Sequence, residues 1–96
     1  MVEIRKTENF AKWIDELHDM RARARILVRI ERLAAGNPGD VKAVGEGVSE
    51  LRIDCGSGYR VYYKKHGQKV VILLVGGDKS TQAKDIKTAL RLSRNL

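Results

Sequence analysis

Cationic side chains and one aromatic ring occupy every second position of a short stretch in the second half of the chain. They are Arg60, Tyr62, Lys64 and His66. Side chains of a β-strand alternate between its two faces, so these four share a face. We predict that this face is exposed and that Arg52, on the preceding predicted strand, joins it. Cations hold phosphate groups and a ring can stack on an unpaired base, so the pattern is typical of an RNA-binding surface.

Another basic position follows the most apolar stretch of the chain. The run 70–75 predicts a buried strand, and the sequence GGDK at 76–79 ends it. Backbone N–H groups at the start of the helix that follows could bind an anion. We therefore predict that Lys79 lies at the edge of the sheet, close to Arg52 and Arg60.

The same side chains could also take part in acid–base chemistry. Lys79, Lys64 or His66 could move protons, and histidine titrates nearer to neutral pH than lysine does. No His, Cys or carboxylate spacing is typical of a metal site, so we predict no metal and no other cofactor.

A row of arginines marks the helix predicted over residues 19–35. Arg21, Arg25, Arg29 and Arg32 fall within about 80° of arc at ~100° per residue. Like charges at this spacing destabilise a helix by about 0.2–0.5 kcal/mol per pair. The row therefore indicates acidic neighbours or an acidic partner, unless it is simply a solvated face. The predicted RNA-binding set is Tyr62, Lys64, Arg25, Arg29 and Lys84.

The remaining patterns indicate an α+β fold. A short strand and a helix capped by Thr7 precede the arginine helix, and the sequence GNPGD at 36–40 separates the helices from the strands that follow. Three strands joined by tight turns come next, and a further helix comes last. The order β-α-α-β-β-β-α predicts a short N-terminal strand and a two-helix hairpin packed on an antiparallel sheet, with a C-terminal helix.

Composition limits the class of protein. The length of 96 residues predicts a single domain over 1–96, and a formal net charge of +7 favours a polyanionic partner. The charge is uneven, because residues 1–48 carry 9 basic and 8 acidic side chains whereas residues 49–96 carry 10 and 4. One cysteine excludes an internal disulfide, and the N-terminal residues lack the apolar core of a signal peptide. We therefore expect a cytoplasmic protein with no membrane contact.

Several segments together resemble one known family. They are ELRI at 50–53, GSGYRVYY at 56–63 and LLVGGDKSTQ at 73–82, supported by residues 25–33 and 36–40. In this order they resemble the RelE/ParE toxin superfamily, most closely its HigB-like branch of addiction-module killer proteins. The similarity extends over nearly the whole chain.

The resemblance implies the toxin of a type II toxin–antitoxin system. Such toxins cleave messenger RNA in the ribosomal A site without metal and are neutralised by an antitoxin protein, which in this branch is often a helix-turn-helix protein. Operator DNA would then be bound only through the antitoxin. Arg60 matches the superfamily arginine associated with the scissile phosphate, and Arg52 and Lys79 fall near positions that are basic in many members.

For the cleavage that the resemblance implies, we predict attack of a ribose 2′-OH on the adjacent phosphate. The attack must be in line, and it requires positive charge on the phosphorane and proton transfer to the leaving oxygen. Arg60 and Arg52 could supply the charge. The predicted catalytic set is Arg60, Lys79, Arg52 and His66.

Two other functions stay open from the sequence. ParE-like members of the superfamily act on DNA gyrase instead of RNA, and the fold alone does not choose between these targets. The chain could also be a catalytically inactive toxin-like module that only binds a partner. Arg60 and the predicted basic face favour RNA cleavage.

Overall fold

The computed structural model describes residues 2–96, in which helices pack against both faces of one sheet. The strands are β1 (Glu3–Lys6), β2 (Val41–Gly45), β3 (Val48–Ile53), β4 (Tyr59–His66) and β5 (Val70–Gly77). The helices are α1 (Glu8–Glu16), α2 (Met20–Ala34) and α3 (Gln82–Arg94), with a 3₁₀ turn at Lys79–Thr81 before α3. The predicted α+β class is confirmed. None of the helices in residues 2–96 is long and apolar enough to span a membrane.

The five strands are ordered β1-β5-β4-β3-β2. From β2 to β5, each strand pairs antiparallel with the strand that follows it in the chain. In contrast, β1 pairs parallel with β5. The sheet is therefore mixed. Strands β3, β4 and β5 form the predicted antiparallel sheet, and β1 joins its edge in parallel, a pairing that the sequence does not predict. The prediction also left out β2, because only Val41 and Val44 of this strand are half-buried and the rest is exposed.

Both long helices of the N-terminal half begin at capping side chains. The Thr7 hydroxyl accepts a hydrogen bond from the Phe10 N–H, and the Asp19 carboxylate accepts one from the Ala22 N–H. These caps satisfy N–H groups that have no partner inside the helix. The core on this side of the sheet contains Phe10, Ile14, Ile26, Ile30, Leu33, Leu51, Ile53, Val61, Tyr63, Val71 and Leu73.

A second core lies on the opposite face, under α3. Tyr62, Val48, Leu74 and Val75 are buried there against Ala89 of α3. Leu74 and Val75 share this side because the β4–β5 register skips Leu74, which is a β-bulge. This is the face that the sequence predicted to be exposed, so that prediction is wrong. On this face of the sheet, a binding site can form only at the margins, because α3 covers the rest.

Candidate phosphate-binding site

A hollow with a cavity volume of about 240 Å³ opens at one end of the sheet. Arg52, Arg60 and Lys79 line it together with two carboxylates, Asp40 and Asp54. Arg52 and Arg60 are direct partners across β3 and β4, and Arg60 is also opposite Gly77 at the end of β5. Lys79 follows two residues later. The structure thus brings together three of the four side chains predicted to be catalytic.

Two of these cations lie against Gly58, where the absence of a side chain leaves room for them. A Cβ atom at this position would be 3.4 Å from Arg60 Nη1 and 3.7 Å from Lys79 Cδ. The backbone of Gly58 has φ +80°, a conformation that glycine adopts readily. Arg60 Nη1 donates a hydrogen bond to the Gly58 carbonyl oxygen at 2.8 Å. The hairpin turn between β3 and β4 therefore positions the Arg60 guanidinium.

Glu50 lies behind Arg60 and is almost completely buried. The side chains of Glu50 and Arg60 are 1% and 12% exposed, and Arg60 Nε is 3.5 Å from Glu50 Oε2. Tyr62 Oη and Gln82 Nε2 donate hydrogen bonds to the same oxygen, at 2.9 Å and 3.0 Å. Within residues 2–96, Arg60 Nε and Glu50 Oε1 have no hydrogen-bond partner. Arg60 and Glu50 therefore attract each other as charges without a direct hydrogen bond.

Sequence reasoning missed Glu50 and Gln82. An acidic residue on an alternating strand is typical of a solvent-facing position, and nothing in the local pattern shows that α3 covers Glu50. The two residues are 32 positions apart, so only the tertiary structure brings them together.

Tyr62 is in the core and not on the RNA-facing surface predicted for it. Its side chain is fully buried, so it has no free ring face for a base. Burial, followed by the hydrogen bond to Glu50, raises the pKa of the Tyr62 hydroxyl. The hydroxyl therefore stays protonated and serves as a donor to the Glu50 carboxylate.

Replacing this donor should destabilise the protein. Tyr62→Phe keeps the ring and removes one hydrogen bond to a buried carboxylate, so we expect a loss of about 2 kcal/mol in the free energy of unfolding. Urea unfolding would measure it. Tyr63→Phe is the matched control, since Tyr63 is also buried but packs in the other core. Equal losses for the two variants would contradict a special role for the Glu50 contact.

The arginines of α2 contact the strand ends beside the hollow. Arg29 donates from Nη1 to the Arg52 carbonyl oxygen at 2.7 Å and from Nη2 to the Pro38 carbonyl oxygen at 2.9 Å. Arg25 Nη1 lies 3.3 Å from the Asp54 carbonyl oxygen. Arg52 itself is paired with Asp40, at 3.5 Å between Nε and Oδ2. Arg29 thus supports the wall of the hollow, and its guanidinium is already occupied.

Two predicted site residues lie far from the hollow. His66 ends β4 opposite Val70, while Arg60 near the start of β4 is opposite Gly77. Six residues of strand separate them by about 20 Å. Lys64 is four residues from Arg60 and packs near Gly47. The prediction that these two share a surface with Arg60 is therefore wrong, because strand alternation fixes the face and not the distance. Lys84 is exposed on the first turn of α3.

Two aspartates that contact the 3₁₀ turn carrying Lys79 have pKa values shifted in opposite directions. Hydrogen bonds from Ser80, first from its hydroxyl, lower the pKa of Asp78 below its ordinary value of 3.8. Burial raises the pKa of Asp85 above 3.8, although its Oδ2 accepts a hydrogen bond from the Thr81 hydroxyl at 2.5 Å. Asp78 caps the 3₁₀ turn that carries Lys79, so this carboxylate fixes the backbone beside the hollow.

The two pKa shifts predict that the stabilities of the variants Asp78→Asn and Asp85→Asn, relative to the parent, change with pH in opposite directions. Asp78 stabilises the fold above pH 3.8, and this contribution is lost as the pH falls through its lowered folded pKa. Asp78→Asn should cost about 1 kcal/mol at pH 7, with the difference closing in acid. Asp85 favours the folded state when protonated, and that advantage is lost as the pH rises through its raised folded pKa.

Asp85→Asn should therefore be at least as stable as the parent at pH 7, and its advantage should shrink toward pH 3.8. Urea unfolding of both variants from neutral to acidic pH measures this. If both differences changed with pH in the same direction, the assigned shift of Asp78 or of Asp85 would be wrong.

Within residues 2–96, no cluster of three or more His, Cys, Asp or Glu side chains has the arrangement to hold a metal ion. The hollow instead offers guanidinium and ammonium groups, which bind phosphate and carboxylate oxygens.

Comparison with known proteins supports the fold and gives the family. The whole-chain fold is similar to that of a free-state variant of the Escherichia coli toxin RelE with two arginines replaced by alanine, with a TM-score of 0.72, 20% identity and coverage of 99% of this chain and 98% of that one. An uncharacterized protein of Haemophilus influenzae is 53% identical over 95 residues, which is 99% of this chain and 96% of the relative. Residues 12–94 match the family described as phage-derived protein Gp49-like (DUF891). The chain therefore belongs to the Gp49-like family and has a RelE-like fold.

Proposed function

We propose that the chain is the toxin of a type II toxin–antitoxin system and cleaves messenger RNA on the ribosome. The observation that carries the proposal is the convergence of Arg52, Arg60 and Lys79 on one hollow. The RelE-like fold and the Gp49-like family support it. We place the chain in the HigB-like branch because of its GYRVY and GGDKS motifs. It would act in the cytoplasm and be neutralised by an antitoxin, through which alone it would reach operator DNA.

The proposed reaction needs no metal. The ribose 2′-OH loses its proton to water as its oxygen attacks phosphorus, and the bond from phosphorus to the 5′-oxygen breaks. The products are a 2′,3′-cyclic phosphate and a free 5′-OH, and water later returns a proton to the group that protonated the 5′-oxygen. Arg52 and Arg60 stabilise the charge that develops on the phosphorane oxygens. Lys79 donates a proton to the departing 5′-oxygen, since it is the exposed ammonium group of the hollow. Lys84, also exposed, extends the path for the RNA backbone.

The charges around the hollow explain why a ribosome would be needed. Asp40 and Asp54 line it beside the three cations, and Arg52 is within 3.5 Å of Asp40. An RNA phosphate must compete with Asp40 for Arg52, so free RNA gains little from binding. A substrate that the ribosome already holds in place does not need this affinity, because orientation supplies much of the rate.

One observation favours a second function, that of a catalytically inactive binding module. The Arg60 guanidinium is mostly buried and has Glu50 as a counter-ion, which is typical of a structural ion pair. In that case the chain would bind its partner without cleaving RNA, and its expression alone would not arrest growth.

Mapping RNA ends after induction of the chain in bacteria tests the proposal. We expect growth arrest and new 5′-OH ends that follow the codon phase of translated messages. His66→Ala should leave both unchanged, since His66 is distant from the hollow, whereas Lys79→Ala should reduce cleavage strongly. DNA damage with intact messages would instead support action on gyrase. Normal growth with unchanged RNA would support the inactive module.

A further inference from the structure

The outward side of α2 carries an apolar stripe that no part of residues 2–96 covers. Met20, Leu27 and Val28 are 65%, 42% and 44% exposed, and Ala24 between them is exposed as well. These positions recur at i, i+4, i+7 and i+8, so they lie along one side of the helix, opposite its buried side. An apolar row of this kind on a helix is a usual contact surface for another helix.

Arginines run along one edge of this stripe. Arg21, Arg25 and Arg32 are exposed and extend over about 16 Å of helix at 1.5 Å per residue. A cavity of about 530 Å³ lies between them and the end of β3, and its apolar lining includes Val28 and Ile53. We call this surface, comprising the stripe, the three arginines and the cavity, the α2 groove.

We propose that the α2 groove binds an amphipathic helix of a partner protein that carries acidic residues along one edge. The apolar side of the partner helix would cover Leu27 and Val28. Its carboxylates would pair with Arg21, Arg25 and Arg32, whose guanidinium groups bind carboxylates through two parallel hydrogen bonds. The like charges along α2 repel one another, and an acidic partner would relieve this repulsion. If the proposed toxin function is correct, the antitoxin would carry this helix, but the inference depends only on the groove.

The same chemistry disfavours two other occupants. An RNA backbone would satisfy the arginines but leave Leu27 and Val28 in water, and no aromatic ring lines the described part of the cavity for a base to stack on. A second copy of this chain in a symmetric contact would place one arginine row against another, because such an interface uses the same surface twice. Arg25 is therefore assigned to protein binding instead of RNA.

Titration of the full chain with a labelled peptide tests the inference. The probe is a designed helix of roughly 20 residues with leucines along one side and glutamates along the adjoining edge, followed by fluorescence anisotropy. A twin with lysines in place of the glutamates and a single-stranded RNA of similar length are measured in parallel. We expect the acidic peptide to bind with an affinity that falls as salt rises, and the basic twin not to bind.

Matched variants locate the binding surface. Leu27→Ser with Val28→Ser, and separately Arg21→Gln with Arg25→Gln, should each weaken peptide binding at least tenfold. Lys87→Gln with Arg91→Gln removes the same charge from α3 and should change binding less than twofold. The inference fails if the acidic peptide does not bind, or if the α2 and α3 variants weaken it equally. It also fails if the RNA alone binds and depends on Arg21 and Arg25, which would make the groove a nucleic-acid site.

Discussion

Arg60→Ala is expected to abolish growth arrest and to lower ribosome-dependent RNA cleavage by about 100-fold or more, because one donor to the developing oxyanion is removed. The same change should lower the free energy of unfolding by about 3 kcal/mol, since the buried Glu50 carboxylate loses its counter-ion. Loss of activity in this variant alone would therefore not separate a direct role on phosphate from a loss of folded protein. Unfolding in urea and RNA-end mapping must be measured together.

A double variant separates the two effects. In Arg60→Ala with Glu50→Gln, the buried charge is removed along with its partner, and the amide can still accept the hydrogen bonds from Tyr62 and Gln82. We expect this variant to recover most of the lost stability and none of the activity. Glu50→Gln alone should fold and retain cleavage, because Arg60 still donates to the Gly58 carbonyl oxygen. If the double variant were stable and still arrested growth, Arg60 would be a structural residue only and the proposed mechanism would be wrong.

Gly76→Ala should be among the most destabilising single substitutions in the chain. A Cβ atom at Gly76 would be 2.2 Å from Trp13 Cε3 and 2.3 Å from Cζ3. The indole cannot easily move aside, because its ring centroid is 5.8 Å from that of Phe10 and 6.3 Å from that of Tyr59. We expect a loss of about 3 kcal/mol, which is a large part of the stability of a small domain. Thermal and urea unfolding would measure it.

The control for Gly76→Ala is a substitution of Trp13, the residue that the added methyl group would contact. Trp13→Leu by itself should destabilise the protein by leaving a cavity, but it makes room for the added methyl group. The double variant should then lose less than the sum of the two single losses, which is the sign of direct coupling. Additive losses, or a Gly76→Ala variant as stable as the parent, would show that the Trp13 ring can move away from the strand.

Particular residues show how much of the structure the sequence alone predicts. Strand alternation predicted that Arg52 and Arg60 share a face, and the structure pairs them directly across β3 and β4. This follows from local geometry. Alternation does not tell which face of a sheet is left open, so Tyr62 was assigned to solvent although α3 covers it.

Pairings between segments that are distant in sequence could not be predicted either. β1 joins β5 in parallel across 67 residues, and the contact of Gln82 with Glu50 depends on where α3 packs. Neither has a local signal. The sequence therefore predicted the cations of the hollow, but it did not predict Glu50, the buried counter-ion of Arg60, or Gln82, which donates a hydrogen bond to Glu50.

The long-range pairing of β1 with β5 also affects the order in which the molecule can form during synthesis. The first strand has no partner until residues 70–73 have been made, and Glu50 has no contact with Gln82 until α3 begins. Contacts this far apart in sequence make folding slow. A chain still emerging from the ribosome that made it would thus lack an assembled hollow until β5 and the start of α3 had left the exit tunnel.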